Sequence, residues 1–411
     1  MEQPVAPGVD IAPTITPALT VVLAAAVGVI VFPLFAPQPL VGLIGPSLGL
    51  PPDAAGLVAT LTLFGYATGL ILLVPLTDLT ENRRVVLLTL VGGVVALSAA
   101  AAAPSALLFL IAAFGIGACA SAIQMIVPIA AALAPEAIRG RVIGNIMSGL
   151  TIGILLTRPI ASLLAETLGW RGVYAFAAIA VAATGLSLHR ALPQRRPLLR
   201  SSYGEIVKSL WRLLIEERIL RMRAMLQGLC MGAFGLFWTA IALRLSTPPF
   251  SLGAKGVALF ALAGVAGAII SPIAGRAGDR GQTRPATLIS HLAIVGGFVL
   301  AGIAGAGWLG VDPAARPTLS LGLLAMAAVV LDAGVFADQT LGRRAVNILN
   351  PAARGRLNGL YTGLFFVGSA AGSGMTGIAW TYGGWTGVCL LGISFGATAF
   401  VLAILNRKLS S

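Results

Sequence analysis

The feature that leaves this chain the fewest possible folds is its succession of long apolar runs, at about 18-44, 54-76, 85-103, 106-133, 142-164, 172-189, 224-246, 256-275, 286-308, 318-342, 357-381 and 386-405. About 20 apolar residues at 1.5 Å per residue cross the roughly 30 Å hydrocarbon layer of a bilayer. Lipid offers no partner to backbone N–H and C=O groups, so each run must close its own hydrogen bonds as a helix. Composition agrees: 57% of the 411 residues are hydrophobic, 10% are charged, and the mean hydropathy is +0.95. The expected fold is an all-α membrane protein of twelve transmembrane helices.

One long polar segment, His189 to Arg223, interrupts the runs near the middle and carries nine Lys or Arg against three Glu. Placing it in the cytoplasm orients every helix around it. An even number of spans then puts both termini inside. The remaining basic residues test this independently, because 13 of those 18 fall on the same side, making 22 of the 27 Lys and Arg in all. The implied divisions are 1-17 as a disordered cytoplasmic N-terminus, 18-188 as a first six-helix bundle, 189-223 as a basic linker, 224-405 as a second bundle and 406-411 as a cytoplasmic tail. Within the linker, Ile206, Leu210, Leu213 and Leu214 recur at helical spacing beside Trp211, which predicts a helix lying on the inner leaflet. Residues 216 to 223 read equally as a cytoplasmic extension of the seventh span.

The net charge of +13 is explained by these loop clusters, and no face is basic enough to suggest nucleic acid. The start of the chain lacks the basic region and cleavage site of a removed signal, so the first span is expected to remain as an anchor. Cys119, Cys230 and Cys389 lie singly inside apolar runs, with no Cys/Cys or Cys/His spacing, and are expected as buried free thiols. No cofactor and no metal site are expected. The excess of Arg over Lys, 24 to 3, together with the Ala richness, points to a GC-rich bacterium and a plasma (inner) membrane location.

Residues 135-173 align without a gap to 350-388, at a constant offset of 215. Arg139 meets Arg354, Arg141 meets Arg356, Gly153 meets Gly368, Gly169 meets Gly384, Trp170 meets Trp385, and upstream Gln124 meets Gln339. The halves therefore read as duplicates. Six helices return the chain to its starting side, so they share one orientation. Parallel repeats of this kind rock about a shared central site. Over nearly its whole length the chain resembles the major facilitator superfamily, and most closely its bacterial drug and sugar efflux branch. That resemblance implies two pseudo-symmetric six-helix bundles, with helices one, four, seven and ten lining a cavity and helices three, six, nine and twelve as outer supports.

The stretch GRAGDRGQTR is similar to the family's signature loop, matching at Gly275, Asp279, Arg280 and Arg284. The first-half copy, VPLTDLTENRR, keeps Asp78, Arg83 and Arg84 and departs elsewhere. In the family such loops imply a latch that holds the inner side closed. Topology alone would equally explain Arg83 and Arg84. Two other family features are missing: FLIAAFGIG in the fourth run has no Arg, and Arg158 stands before Pro159 where a Gly-Pro pair is usual. The usual assignment of proton coupling therefore does not carry over.

Charges inside the runs mark the candidate site. An ionised side chain near the bilayer centre costs at least about 2.5 kcal/mol, so Arg158 should face the bundle or a wet cavity. Ser148, Thr151, Arg158 and Ser162 share one arc of their helix. Asp332 lies mid-span in the tenth run, with Gln339 on its face, while Asp338 is expected to point elsewhere, near the inner surface. A carboxylate that moves between dry and Arg-paired surroundings can take up and release a proton, so Asp332 reads as the coupling acid with Arg158 or a cationic cargo as its partner. A protonated Asp bridging two helices is the other reading. Gly117, Ser121 and Gln124 share a face of the fourth helix, and Gln124 and Gln339 either hold a polar group or join helices. Pro33, Pro37, Gln38 and Pro39 should break the first helix beside the cavity. Trp238 either stacks on cargo or packs, and His291 reads as structural.

These readings describe a secondary transporter by alternating access, exporting small molecules against protons, monomeric and embedded in the bilayer. Its rivals are an importer or uniporter of the same fold and a transport-inactive membrane receptor. There is no P-loop and no clustered nucleophile and base, so neither direct nucleotide energy nor enzymatic catalysis is expected.

Overall fold

The computed structural model describes residues 15–194, 202–350 and 353–406, and among these it contains helices and no strand. The N-terminal segment to residue 14, linker residues 195–201 and the tail from 407 lie outside the described residues. The first half comprises α1 (Pro17–Phe35), α2 (Pro37–Ser47), α3 (Leu57–Leu72), α4 (Asn82–Ala102), α5 (Ala106–Ala120), α6 (Ala122–Leu133) and α7 (Glu136–Ala191). After the connecting helix α8 (Tyr203–Glu216), the second half comprises α9 (Arg218–Ser246), α10 (Ala254–Ala261), α11 (Ala266–Asp279), α12 (Thr283–Ala306), α13 (Pro317–Leu349) and α14 (Arg354–Leu405).

Ten continuous helical stretches among the described residues are long and apolar enough to cross a membrane. Two of them, α7 with 56 residues and α14 with 52, are too long for one crossing, since about 20 residues suffice. Each is broken at one non-helical residue, Gly169 (φ 67°, ψ 171°) and Gly384 (φ 56°, ψ −151°). A positive φ is strained for any residue with a β-carbon and free for glycine. Divided there, the ten stretches become the twelve runs of the sequence, and the two breaks are the repeat mates aligned above.

The duplication is visible in the packing. A β-carbon on Gly153 would lie 2.7 Å from the Gly28 Cα, and one on Gly368 would lie 2.7 Å from the Gly228 Cα. In each half the fifth span therefore presses backbone to backbone on the first, the close approach that small residues permit where lipid supplies no hydrophobic drive. The repeat arginines match as well. Arg139 Nε donates to the Ala131 carbonyl at 3.0 Å and Arg354 Nε to the Asn347 carbonyl at 3.1 Å, each satisfying a free carbonyl at the end of the preceding helix.

The amphipathic connector forms as the pattern predicts. Ser202 and Glu205 make a reciprocal capping box at its start, Ile206 and Leu210 are buried, and Trp211 and Ile215 are exposed. Its ambiguous end is resolved by a break at Glu217, so residues 218–223 are the first turns of α9. Arg223 consequently sits inside a membrane-spanning helix and is fully buried, whereas the charge pattern places it with the loop. The helix α8 touches both halves: Tyr203 Oη donates to the Leu72 carbonyl at 2.9 Å, and Arg356 Nη1 donates to Ser209 Oγ at 2.8 Å.

The halves meet through α3 on α14, α7 on α10 and α2 on α9. At the end away from the basic clusters the contact is backbone against backbone. A β-carbon on Gly56 would collide with the Ser373 carbonyl and one on Gly377 with the Asp53 carbonyl. Nearer the centre, Tyr66 packs edge-on against Phe366 with ring centroids 4.7 Å apart, and Phe35 reaches Phe234 at 6.4 Å. These rings cross from one half to the other and close the interface above the centre.

Candidate functional site

Below that aromatic seal the halves part around a cavity of about 810 Å³ that runs to the basic end, where Arg343, Arg344 and Arg354 line it. Two charged side chains from opposite halves line it, and one buried aromatic residue packs against both. Arg158 comes from α7 in the first half, and Trp238 of α9 and Asp332 of α13 come from the second. Arg158 Nε donates to Gln38 Oε1 at 2.9 Å, and its guanidinium lies 4.1 Å from the Trp238 ring centroid, 5.3 Å from Phe234 and 5.6 Å from Phe35. Ring faces attract a desolvated cation by about 2 kcal/mol, and three of them offset much of what burying this charge costs. The Trp238 indole N–H donates to Asp332 Oδ1 at 2.9 Å. One indole thus lies between the buried charges: its face holds the arginine and its edge holds the carboxylate.

This changes the expected partnership. Arg158 and Asp332 do not form an ion pair within 4.0 Å; Trp238 joins them indirectly. The indole is therefore a packed bridge rather than a free stacking platform. Gln124 and Gln339 do face the cavity, as the repeat suggests, and Thr151 lines it too. Ser121 does not: it sits buried at the break between α5 and α6, its hydroxyl without a partner. Ser148 lines a separate groove between α1 and α7, and Ser162 is buried, so the polar arc on α7 serves two surroundings. Gly117 packs on the Thr62 carbonyl, a helix-joining role. The proline cluster produces only a mild interruption at Ala36, whose backbone stays helical, yet it places Gln38 against Arg158 as a buried acceptor.

Asp338 does point elsewhere than Asp332, away from the cavity, and its surroundings are polar. It is fully buried, with Arg223 Nη1 at 3.8 Å and His291 Nε2 at 3.5 Å from its Oδ1, and it accepts from Cys230 Sγ at 3.9 Å. The sequence shows no metal-ligand spacing because these donors stand on α9, α12 and α13; folding brings them together. The cysteines are free, Cys230 and Cys389 buried and Cys119 half-buried. Cavity aromatics Phe35, Tyr66, Phe234 and Phe366 had no signal apart from ordinary core residues, although Phe234 and Trp238 at i and i+4 on one helix face form a readable pair.

Among the described residues no ion pair within 4.0 Å joins the carboxylates of the signature loops to the opposite half. Asp279 accepts from Arg344 Nε at 3.1 Å, both in the second half, with the side chains 72% and 38% exposed. Arg83 Nη1 donates to the Leu192 carbonyl and its Nη2 contacts the His189 ring, within the first half. A β-carbon on Gly275 would lie 4.0 Å from the Thr340 methyl, an ordinary contact, and the buried Arg284 Nε has no hydrogen-bond partner. The cation acting on Asp78 is Arg356 of the other half, the repeat mate of Arg141. An exposed pair such as Asp279 with Arg344 contributes less than about 1 kcal/mol, so Asp279→Asn is expected to move the thermal midpoint in micelles by less than about 3 °C. A larger drop in scanning fluorimetry would show that the pair does more than tidy a loop.

A sequence model of the Major Facilitator Superfamily matches residues 18–340. The chain belongs to the Major Facilitator Superfamily. It is 36% identical over 379 residues to the uncharacterized transporter YgaY of Escherichia coli O157:H7, covering 92% of this chain and 93% of that one. It is 29% identical over 287 residues to the chloramphenicol resistance protein of Streptomyces lividans, covering 66% and 70%. Among solved structures, a D-xylose-proton symporter superposes with a TM-score of 0.74 at 15% identity, over 96% of this chain and 98% of that one, which shows the shared fold. As a facilitator-family protein, this chain is a multi-pass membrane protein of a transporter class.

Proposed function

We propose that this facilitator-family protein exports amphipathic small molecules in exchange for protons by alternating access, in a bacterial inner membrane and as a monomer. The observation that carries the reading is the cavity between duplicated halves, sealed at one end and reached from the basic end, with Asp332 and Arg158 at its floor. By the positive-inside rule the basic end is cytoplasmic, so both termini and the linker 189-223 lie inside and cargo loads from the cytoplasm. A volume of about 810 Å³ suits a drug-sized molecule, and aromatic faces with few polar groups suit a largely apolar one.

The chemistry follows from which half owns which group. Arg158 belongs to the first half but rests on Trp238 and Phe234 of the second. When the halves rock, that stack must slide or part, and Asp332 exchanges a cationic neighbour for water or cargo. A carboxylate whose surroundings alternate in this way is charged in one state and protonated in the other, which couples proton movement to rocking. The signature loops would latch the basic end once it closes, with Asp78 and Arg356 the pair that spans the halves. Gln124 and Gln339 are cavity amides that orient polar cargo groups.

The chloramphenicol resistance relative favours export. The same geometry serves an importer, and the likeness in fold to a D-xylose-proton symporter favours that second reading. A compound panel tested against an efflux-deficient strain expressing the protein would identify cargo. Proteoliposomes with pH gradients of either sign then decide the direction: outward proton-driven cargo flow supports export, and cargo following the proton overturns it. Trp238→Phe keeps a ring beneath Arg158 and removes the donor to Asp332. A hydrogen bond to a charged group contributes about 1.5–3 kcal/mol, so exchange in those proteoliposomes is expected to slow about tenfold or more.

A further inference from the structure

A second group of buried polar side chains lies outside the cavity, and transport as described makes no use of it. Cys230 of α9, His291 of α12 and Asp338 of α13 are each fully buried, and their ligating atoms all lie within 4.8 Å of one another. Neither ring nitrogen of His291 nor Asp338 Oδ1 has a hydrogen-bond partner, and His291 Nε2 stands 3.5 Å from that oxygen. Buried polar atoms are almost always satisfied, so an imidazole and a carboxylate oxygen left without hydrogen bonds beside a buried thiol suit a ligand. Thiol, imidazole and carboxylate on three separate helices are the donor types that hold transition metals.

Charge decides which metal. Arg223 Nη1 stands 3.8 Å from Asp338 Oδ1 and 3.0 Å from the Thr287 hydroxyl, so one fixed positive charge already faces one negative charge. With Cys230 as a thiol and His291 neutral, the group carries no net charge. Binding breaks the Cys230 S–H bond, forms a sulfur–metal bond and releases the proton to the cavity, with no change of oxidation state. Exchanging that proton for a monovalent ion leaves the buried net charge at zero. A divalent ion would leave it at plus one, which a low-dielectric interior penalises. Thiolate and imidazole also favour soft ions over hard ones.

We propose that Cys230, His291 and Asp338 form a binding site for a soft monovalent transition-metal ion of the copper(I) type. Met231 and Gln339, the chain neighbours of Cys230 and Asp338, line the cavity, so the group lies just behind its wall. The thioether of Met231 is a soft ligand on that wall. The site lies apart from Asp332, so its occupancy can be tested without knowing the cargo.

The test uses the purified full-length protein in micelles with silver(I) as a redox-inert probe, titrated against a chelating dye and counted by elemental analysis. The expected result is one silver per chain, kept when Cys119 and Cys389 are both changed to serine. Cys230→Ser and His291→Ala should abolish it, and Asp338→Asn should weaken it by about 10- to 100-fold. Should those variants not fold, X-ray absorption on silver-loaded wild type must show one sulfur and one nitrogen neighbour. Silver retained at one per chain by Cys230→Ser, two sulfur neighbours, or stoichiometric zinc held in preference to silver would overturn the proposal.

Discussion

Asp332→Asn is expected to reduce proton-driven transport by about a hundredfold or more, the order lost when a positioned proton-transfer group is removed. The substitution is nearly isosteric, and its side-chain oxygen can still accept from the Trp238 indole, so the fold and the cavity should persist. What disappears is the capacity to hold a proton in one state and release it in the other. Exchange of labelled cargo for unlabelled cargo across the same proteoliposomes, which needs rocking but no net proton movement, should therefore continue. Cargo binding followed by Trp238 fluorescence should also remain. Wild-type rates of proton-coupled transport in the variant would remove Asp332 from the mechanism and leave it as a helix-joining group.

Gly377→Leu should have the second-largest effect, this time on the balance of states. A β-carbon at this position already runs into the Asp53 carbonyl, a backbone atom that cannot swing aside as a side chain would. Overpacking of this kind costs about 1–3 kcal/mol. The cost falls only on the state in which the non-basic end is closed, because opening that end separates α3 from α14. The closed state should lose about five- to 150-fold in relative population, since each 1.4 kcal/mol is a factor of ten. Spin-label pairs at the non-basic ends of α3 and α14 would report this as a shift to longer distances, with Gly377→Ala intermediate. Distances unchanged from wild type would mean that these helices do not separate during the cycle.

Several parts of this architecture were legible in the sequence because they follow from short-range rules. Apolar run length sets the spans, helical spacing from Ile206 to Leu214 announces α8, and the 215-residue offset pairs Gly169 with Gly384, the two glycines that break helices. Arg158 and Asp332 were found because charge in an apolar run is costly wherever it sits. Their relationship was not readable, because it depends on Trp238, an aromatic residue that sequence cannot tell from ordinary packing. The surroundings of Asp338 were unreadable for a similar reason: its partners Arg223, Cys230 and His291 come from two other helices, and no local pattern links them. The boundary before Arg223 stays open in the sequence because basic residues signal loops on average, while this one is buried inside a helix. Ser121 shares a face with Gln124 by helical spacing, but the break between α5 and α6 turns it away from the cavity.

The connector α8 carries a mechanical consequence. One of its hydrogen bonds is anchored on Leu72 in the first half and another on Arg356 in the second, so it straddles the line along which the halves pivot. A tether fixed on both banks of a hinge is stretched or slackened by every swing, and its attachments set how much work the swing requires. Mutations in this short amphipathic segment, far from any cargo, would then tune the speed of the cycle much as a spring tunes a door.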